Sequence, residues 1–187
     1  MRLAAPRIAP LTDAEMDAAH KGALASMAGR PVLNIFRTLA RAPEALSAFL
    51  SWGSYVLSKN NSLPSREREI VVLRIGYLCK AGYEWTQHVP IGMRAGITAE
   101  EIERLKAGAE AGWSAPDAAL IRASDELHAD HFISDATFAE LRRHFSERQV
   151  MDLVFTAGQY TQVCMMLNTF GVPLDAGQTL DPDLKGF

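Results

Sequence analysis

The sequence lacks the features that define several large classes of protein. It has only two cysteines, Cys79 and Cys164, which lie far apart in the chain and cannot make a disulfide scaffold. The 13 glycines and 9 prolines are an ordinary share of 187 residues, which excludes collagen-like and low-complexity chains. With 19 basic and 22 acidic side chains, the protein has no general attraction for nucleic acid or anionic membranes.

Long hydrophobic runs are missing as well. No stretch reaches the ~18 apolar residues of a membrane span, because polar side chains interrupt the two most apolar segments, 70–79 and 153–167. The N-terminal residues lack the apolar core of a signal peptide, since Pro6 and Pro10 interrupt them. We therefore expect a cytoplasmic protein without membrane or nucleic-acid partners.

Helix-start signals recur along the chain. Thr12, Thr98 and Ser146 are each followed three residues later by Glu or Gln, which is the pattern of a capping box. Ser114 and Ser134 are further N-cap candidates. Strand signals are weak, because the chain has no Asn-Gly or Asp-Gly dipeptide and no long alternating run of β-branched residues.

These signals predict an all-α fold in one domain covering residues 1–187. The flanking segments 1–11 and 171–187 are rich in Pro, Gly and Asp and are predicted to be flexible arms. The predicted helices span residues 12–28, 42–58, 64–79, 81–95, 98–107, 115–130, 134–144 and 146–169.

The predicted helix 64–79 is unusual because it begins with charged residues and then becomes apolar on nearly every face. Such a pattern indicates a helix that is surrounded by protein. Arg74 interrupts the apolar part and has no carboxylate three or four residues before it. Because an unpaired buried charge is very costly, we expect a partner for Arg74 on another helix.

The next predicted helix carries the residues most suited to chemistry. Glu84 and His88 are four residues apart and share a face with Ala81 and Ile91, which suggests that this face points inward. A carboxylate beside a poorly hydrated imidazole raises its pKa and orients the ring, as general acid–base catalysis requires. Glu69 joins them if the two helices pack antiparallel. The alternative is an ordinary solvated surface pair.

Three motifs of this region, taken together, resemble the carboxymuconolactone decarboxylase family, whose superfamily also contains the alkyl hydroperoxidase D proteins. The motifs are Arg-Glu-Arg-Glu ending at Glu69, Tyr-Glu-Trp-x-x-His ending at His88, and Arg-Ala-Gly-Ile-Thr ending at Thr98. They lie in a motif-bearing core of about residues 35–108. The resemblance implies an alkyl hydroperoxidase D-like helical bundle, assembled as a homotrimer or hexamer, with a site between the two motif helices.

The same resemblance bears on redox chemistry. In the peroxidase branch a glutamate precedes a Cys-x-x-Cys pair and a histidine follows it, and the resemblance places Glu69 and His88 at those two positions. The cysteine positions become Ala81 and Glu84, so the thiols of that mechanism are missing. Cys79 is interpreted as a small buried hydrophobe. Residual peroxidase or thiol chemistry at Cys79 is the alternative, which would make the protein an alkyl hydroperoxidase-like antioxidant oxidoreductase.

The decarboxylase branch needs no thiol, because its reaction resembles loss of CO₂ from a carboxylated unsaturated lactone. We therefore predict a cofactor-free proton-transfer enzyme, a decarboxylase or isomerase, acting on a small carboxylated lactone or related aromatic catabolite. In this hypothesis His88 is the acid or base, and Glu84 and Glu69 form the proton relay. Tyr83 donates a hydrogen bond to the enolate oxygen.

Substrate binding also requires a cation for the carboxylate. Arg68, Arg74 and Arg94 are candidates that spacing alone does not separate. Arg74 fits an interior ion pair equally well. Trp85 is predicted to contact the substrate.

A second segment, residues 125–131, is dense in potential metal ligands. On a helix, Asp125, His128 and His131 are spaced three residues apart and share a face. No His-Glu-x-x-His string occurs, and such mixtures are common on exposed faces, so we interpret the segment as solvated and predict no metal site. A non-catalytic helical oligomer that binds a small molecule remains the other hypothesis for the protein.

Overall fold

Helices make up the regular secondary structure of the protein. A computed structural model describes residues 3–186 and contains no strand within that range. The prediction of an all-α fold is therefore confirmed. None of the helices in this range has the length and apolar character needed to cross a bilayer. The helices are α1 (Ala18–Ala23), α2 (Asn34–Leu39), α3 (Pro43–Val56), α4 (Ser65–Leu78), α5 (Gly82–Arg94), α6 (Ala99–Ala107), α7 (Ala115–Asp130), α8 (Asp135–His144) and α9 (Glu147–Phe170).

The predicted capping residues start these helices. At α6, the Thr98 hydroxyl accepts from the Glu101 N–H at 3.2 Å, and the Glu101 carboxylate accepts from the Thr98 N–H at 2.9 Å. Ser146 caps α9 in the same reciprocal way. Local sequence was sufficient to predict these helix starts, because both partners of each bond lie within one turn.

The N-terminal region differs from the prediction. The expected helix 12–28 is instead a 3₁₀ turn at Asp13–Glu15, the short helix α1, and a second 3₁₀ turn at Ala25–Met27. The break occurs because Asp17 adopts an extended conformation, and its carboxylate caps a new helix by accepting from the Ala19 and His20 N–H groups.

Helix α4 lies at the centre of the fold and packs against α5, α7 and α9. Its residues 70–73 and 75 are fully buried, as its apolar pattern predicted. Arg74 finds the partner it requires on α7, where its Nε is 2.5 Å from Asp125 Oδ1. Its Nη1 donates to the carbonyl oxygens of Leu105 and Lys106 at 2.6 and 3.0 Å. The predicted interior ion pair of Arg74 is confirmed.

A tight turn reverses the chain between α4 and α5. Cys79 ends α4, and Lys80 adopts the left-handed conformation, with φ of 53°. Because the two helices then run antiparallel, Glu69 in the first half of α4 faces His88 in the middle of α5. This hairpin brings the family motifs together.

The terminal segments lie against the helices. The N–H of Arg7 donates to the Phe170 carbonyl oxygen at 2.8 Å, and the side chain of Leu11 is buried. At the other end, Asp175 accepts from the Asn34 N–H at 2.8 Å, and Leu184 is buried. The bond from Asn34 holds the start of α2, a helix that the sequence did not predict, to a residue 141 positions away.

Candidate active site

His88 lies between two buried carboxylates. Its Nδ1 is 2.7 Å from Glu69 Oε2, and its Nε2 is 3.0 Å from Glu84 Oε1. Glu69, Glu84 and His88 are only 1%, 4% and 7% exposed. The structure therefore brings together the three residues that the sequence pattern proposed as a proton relay, and we call them the His88 cluster.

The two helices of the hairpin explain this geometry. Glu84 and His88 are one turn apart on α5, so their side chains meet on the same face. Glu69 approaches the opposite ring nitrogen from α4. Both nitrogens of the imidazole face a carboxylate oxygen, which fixes the ring orientation.

The electrostatics of the His88 cluster favour a protonated imidazole. Burial opposes the charged form, but the charge of Glu84 and the hydrogen bonds to Glu69 and Glu84 outweigh it and raise the pKa of His88 to about 10. At neutral pH the ring is an imidazolium that holds a proton deep inside the protein.

Tyr160 of α9 packs against the imidazole ring of His88. Its aromatic ring meets the imidazole of His88 edge to face, with ring centroids 5.0 Å apart. Burial and the charges of Glu84 and Glu69 raise the pKa of the Tyr160 phenol well above its ordinary value, so the hydroxyl stays protonated. Sequence reasoning did not identify Tyr160 as a site residue. The one signal available was its position in a long uncharged stretch, which also fits a core residue.

Buried polar atoms near this site have unused hydrogen-bonding capacity. Within the described part of the chain, Arg68 Nε, Glu69 Oε1 and Gln159 Oε1 have no hydrogen-bond partner. Arg68 and Gln159 are the sequence neighbours of Glu69 and Tyr160. The charge of Arg68 also acts on the Tyr160 phenol. Because native proteins rarely leave buried polar atoms unpaired, the unpaired atoms of Arg68 and Glu69 are typical of a functional site. A fourth such atom, Thr38 Oγ1, lies on α2.

Tyr83 occupies a neighbouring face of α5. Its hydroxyl donates to Asp175 Oδ2 at 2.6 Å, and the Gln87 side-chain amide donates to the same oxygen at 2.8 Å. Burial and the hydrogen bond to Asp175 raise the pKa of the Tyr83 phenol far above its ordinary value. The structure thus places Tyr83 in a contact that holds the C-terminal segment, beside the His88 cluster rather than within it.

Three further candidates lie in other surroundings. Arg74 is in the ion pair with Asp125 described above. Trp85 donates from Nε1 to Asp181 Oδ2 at 3.1 Å and packs against Tyr77. Arg94 is exposed at the end of α5. Of the predicted arginines, Arg68 is the one whose charge acts on Tyr160, beside the His88 cluster.

The side chains of segment 125–131 point to different partners. Asp125 pairs with Arg74, Glu126 accepts hydrogen bonds from Ser134, and His128 Nδ1 lies 3.6 Å from Cys79 Sγ. Across residues 3–186, no group of three or more His, Cys, Asp or Glu side chains is arranged so that it could hold a metal ion.

A cavity of about 390 Å³ opens between α2, α3 and α9. Apolar side chains dominate its lining, and the three members of the His88 cluster do not contribute to it. The lining residues are Ile8, Thr38, Leu39, Arg41, Ala42, Ala45, Leu46, Phe49, Gln162, Met166 and Phe170.

The helical arrangement is that of the alkyl hydroperoxidase D-like proteins. A peroxidase-related protein from Ralstonia eutropha JMP134, solved as an alkylhydroperoxidase AhpD core, matches with a TM-score of 0.76 and 21% identity over 90% of this chain and 93% of its own. A peroxidase-related protein from Silicibacter sp. TM1040 matches with a TM-score of 0.70 and 18% identity over 99% and 94% of the two chains.

The debrominase Bmp8, solved in complex with 2,3,4-tribromopyrrole, has the same fold, with a TM-score of 0.70 and 13% identity over 90% and 91% of the two chains. No curated protein matches the sequence. Residues 43–125 match the sequence model of the carboxymuconolactone decarboxylase family. The match covers the segment that carries the motifs, so it supports the resemblance that the motifs indicated and an enzyme-like role on a small molecule.

Proposed function

We propose that the protein is a cofactor-free proton-transfer enzyme, a decarboxylase or isomerase of a small carboxylated lactone or related aromatic catabolite. The observation that carries this proposal is the buried imidazolium of His88 held between Glu69 and Glu84 at 2.7 and 3.0 Å. A buried, oriented group that holds a proton at neutral pH is the central requirement for protonating a carbon atom.

In the proposed decarboxylation, the bond between the carboxylate carbon and the ring breaks and CO₂ leaves. The electron pair spreads into the conjugated carbonyl as an enolate. One of the two carboxylates gives up its hydrogen bond to the ring, and the N–H of His88 that this frees delivers its proton to the distal carbon. Glu69 and Glu84 keep the ring aligned and return a proton to it from solvent. Tyr160 is better placed than Tyr83 to donate to the enolate oxygen, because its ring contacts His88.

Arg68 is the proposed partner of the substrate carboxylate. Its Nε is buried and has no acceptor among residues 3–186, and its Nη1 makes one long bond of 3.4 Å to the Ser58 carbonyl oxygen. Arg74, by contrast, already contacts a carboxylate and two carbonyl oxygens. An arginine with unused donors is the one able to accept a new carboxylate.

The enclosure of the His88 cluster also favours one alternative, a non-catalytic helical protein that binds a small molecule in the apolar cavity. In that case the cluster is a structural ion-pair network. The two functions predict different effects of changing His88: the enzyme would lose turnover, whereas the binding protein has no turnover to lose.

The test is a screen for CO₂ release from unsaturated lactone acids, followed by comparison of two variants. His88→Gln is expected to lower turnover at least about 10²-fold while helical circular dichroism is retained. His144→Gln is the matched control, because His144 pairs with Glu140 at the same spacing and 3.0 Å distance on an exposed face of α8. Equal turnover in His88→Gln and wild type would refute the catalytic role of the cluster.

A further inference from the structure

The two cysteines, remote in sequence, meet in the tertiary structure. Asn168 Nδ2 donates to the carbonyl oxygen of Cys79 at 2.9 Å, which fixes α9 against the end of α4. Cys164 lies one turn before Asn168 on α9 and therefore on the same face. The thiols of Cys164 and Cys79 are in direct hydrogen-bond contact, and neither is in a disulfide.

The imidazole of His128, on α7, contacts the thiol of Cys79. His128 Nδ1 lies 3.6 Å from Cys79 Sγ, within the range of a hydrogen bond to sulfur. Burial lowers the pKa of His128, with the charge of Arg74 acting in the same direction and that of Asp125 against it. The imidazole is therefore neutral at neutral pH and able to accept the proton of Cys79.

The two thiols occupy different environments. Cys79 is partly exposed at the end of α4, whereas Cys164 is only 1% exposed. The hydrogen bond to Cys79 and burial raise the pKa of the Cys164 thiol well above its ordinary value, so it stays protonated. An accessible thiol with a base beside it and a protonated thiol behind it form the arrangement of an attacking and a resolving cysteine.

We propose that Cys79 and Cys164 are a redox-active dithiol that a hydroperoxide converts to an intramolecular disulfide. His128 takes the Cys79 proton, and the thiolate attacks the terminal peroxide oxygen. The O–O bond breaks, the leaving alkoxide takes a proton and departs as an alcohol, and Cys79 becomes a sulfenic acid. The Cys164 sulfur then attacks the Cys79 sulfur, and water leaves with the hydroxyl oxygen and the Cys164 proton. Two thiols and one hydroperoxide thus give a disulfide, an alcohol and water.

This dithiol lies outside the positions that the resemblance assigned to thiols, Ala81 and Glu84. The bond would join the end of α4 to α9, the helices that carry Glu69 and Tyr160, and the charge of Glu84 already acts on the Cys164 thiol. The proposal does not depend on the proposed decarboxylation, since it concerns other atoms and a different reaction.

The test is treatment of the full-length reduced protein with equimolar hydrogen peroxide or cumene hydroperoxide, followed by intact mass and peptide mapping. We expect a monomer that has lost two hydrogens and a peptide pair linked through Cys79 and Cys164, both reversed by dithiothreitol. A wild-type protein that forms no such link, or that links only between two chains, would overturn the proposal without any variant being made.

Single-residue variants test the role proposed for each of the two cysteines and for His128. Cys164→Ser is expected to stop at a Cys79 sulfenic acid that dimedone traps, and Cys79→Ser to consume no peroxide. His128→Asn is expected to slow oxidation of Cys79 about tenfold. His131→Asn is the matched control, because His131 is on the same segment and exposed, with its Nδ1 bonded to the Leu127 carbonyl oxygen. Equal rates in the two histidine variants would remove His128 from the mechanism.

Discussion

Replacing Glu84 with glutamine removes the charge of one carboxylate that keeps His88 protonated while leaving the side chain nearly the same size. In the wild type, Glu84 and Glu69 together raise the pKa of His88 to about 10 against the effect of burial. Loss of one opposite charge at this distance lowers a pKa substantially, so we expect the pKa of His88 in Glu84→Gln to fall to roughly 7–9.

This change has a defined effect on the pH dependence of stability. The unfolded chain releases the proton of His88 near pH 6.5, whereas the folded wild type keeps it to about pH 10. The stabilisation from the cluster is therefore complete below pH 6.5 and is lost as the pH rises towards 10. The slope is up to about 1.4 kcal/mol per pH unit, or about 3 kcal/mol between pH 6.5 and 9. With a pKa near 8, the variant would lose only about 2 kcal/mol over the same range, most of it below pH 8.

The assay is urea unfolding of the wild type and Glu84→Gln at several pH values from 6 to 9, with NMR titration of the His88 ring as a direct check. Glu140→Gln is the control, since it breaks a Glu–His pair of the same spacing on an exposed face of α8. His88→Gln should flatten the slope further. The linkage argument would be refuted by identical slopes in the wild type, Glu84→Gln and His88→Gln.

Other predictions concern packing and assembly. Arg74→Met is expected to lower the free energy of unfolding by about 3–5 kcal/mol, because Asp125 loses its buried partner. Arg122 pairs with Glu110 at 2.8 Å on the surface, so Arg122→Met should change it by less than about 1 kcal/mol in the same urea assay. Asp175→Ala should cost about 1–3 kcal/mol by leaving the Tyr83 hydroxyl without an acceptor for its proton, and limited proteolysis should then cut the C-terminal segment faster. We also propose that the chain self-associates through the exposed apolar face of α9, so Met165→Lys should reduce the mass measured by light scattering, and an unchanged mass would contradict this.

Local sequence was sufficient to predict most helix boundaries and, within the candidate site, the pairing of Glu84 with His88. Capping boxes at Thr98 and Ser146 involve partners one turn apart, and Glu84 and His88 share a face because of helical spacing alone. The position of Glu69 followed from one further assumption, that α4 and α5 pack antiparallel, and the short turn after Cys79 confirms it.

Contacts between distant segments were beyond the reach of such patterns. Helix α2 is held to Asp175, and the same carboxylate engages the Tyr83 hydroxyl, which sequence reasoning had assigned to the substrate. Tyr160 reaches His88 from a helix whose composition resembles an ordinary core. In each case the partner lies many residues away, and no periodicity encodes which distant side chain a residue will meet.

The two cysteines show most clearly which properties the sequence determines and which only the tertiary structure decides. The sequence by itself determined that the chain is all-α and that residues 43–125 match the carboxymuconolactone decarboxylase family, because helix caps, a buried central helix and short motifs depend on residues close together in the chain. The resemblance also placed Ala81 and Glu84 at the thiol positions of the peroxidase branch. Only the tertiary structure brought Cys79 and Cys164 into contact, because their meeting depends on how α9 packs against the end of α4, and that packing is set by the whole core.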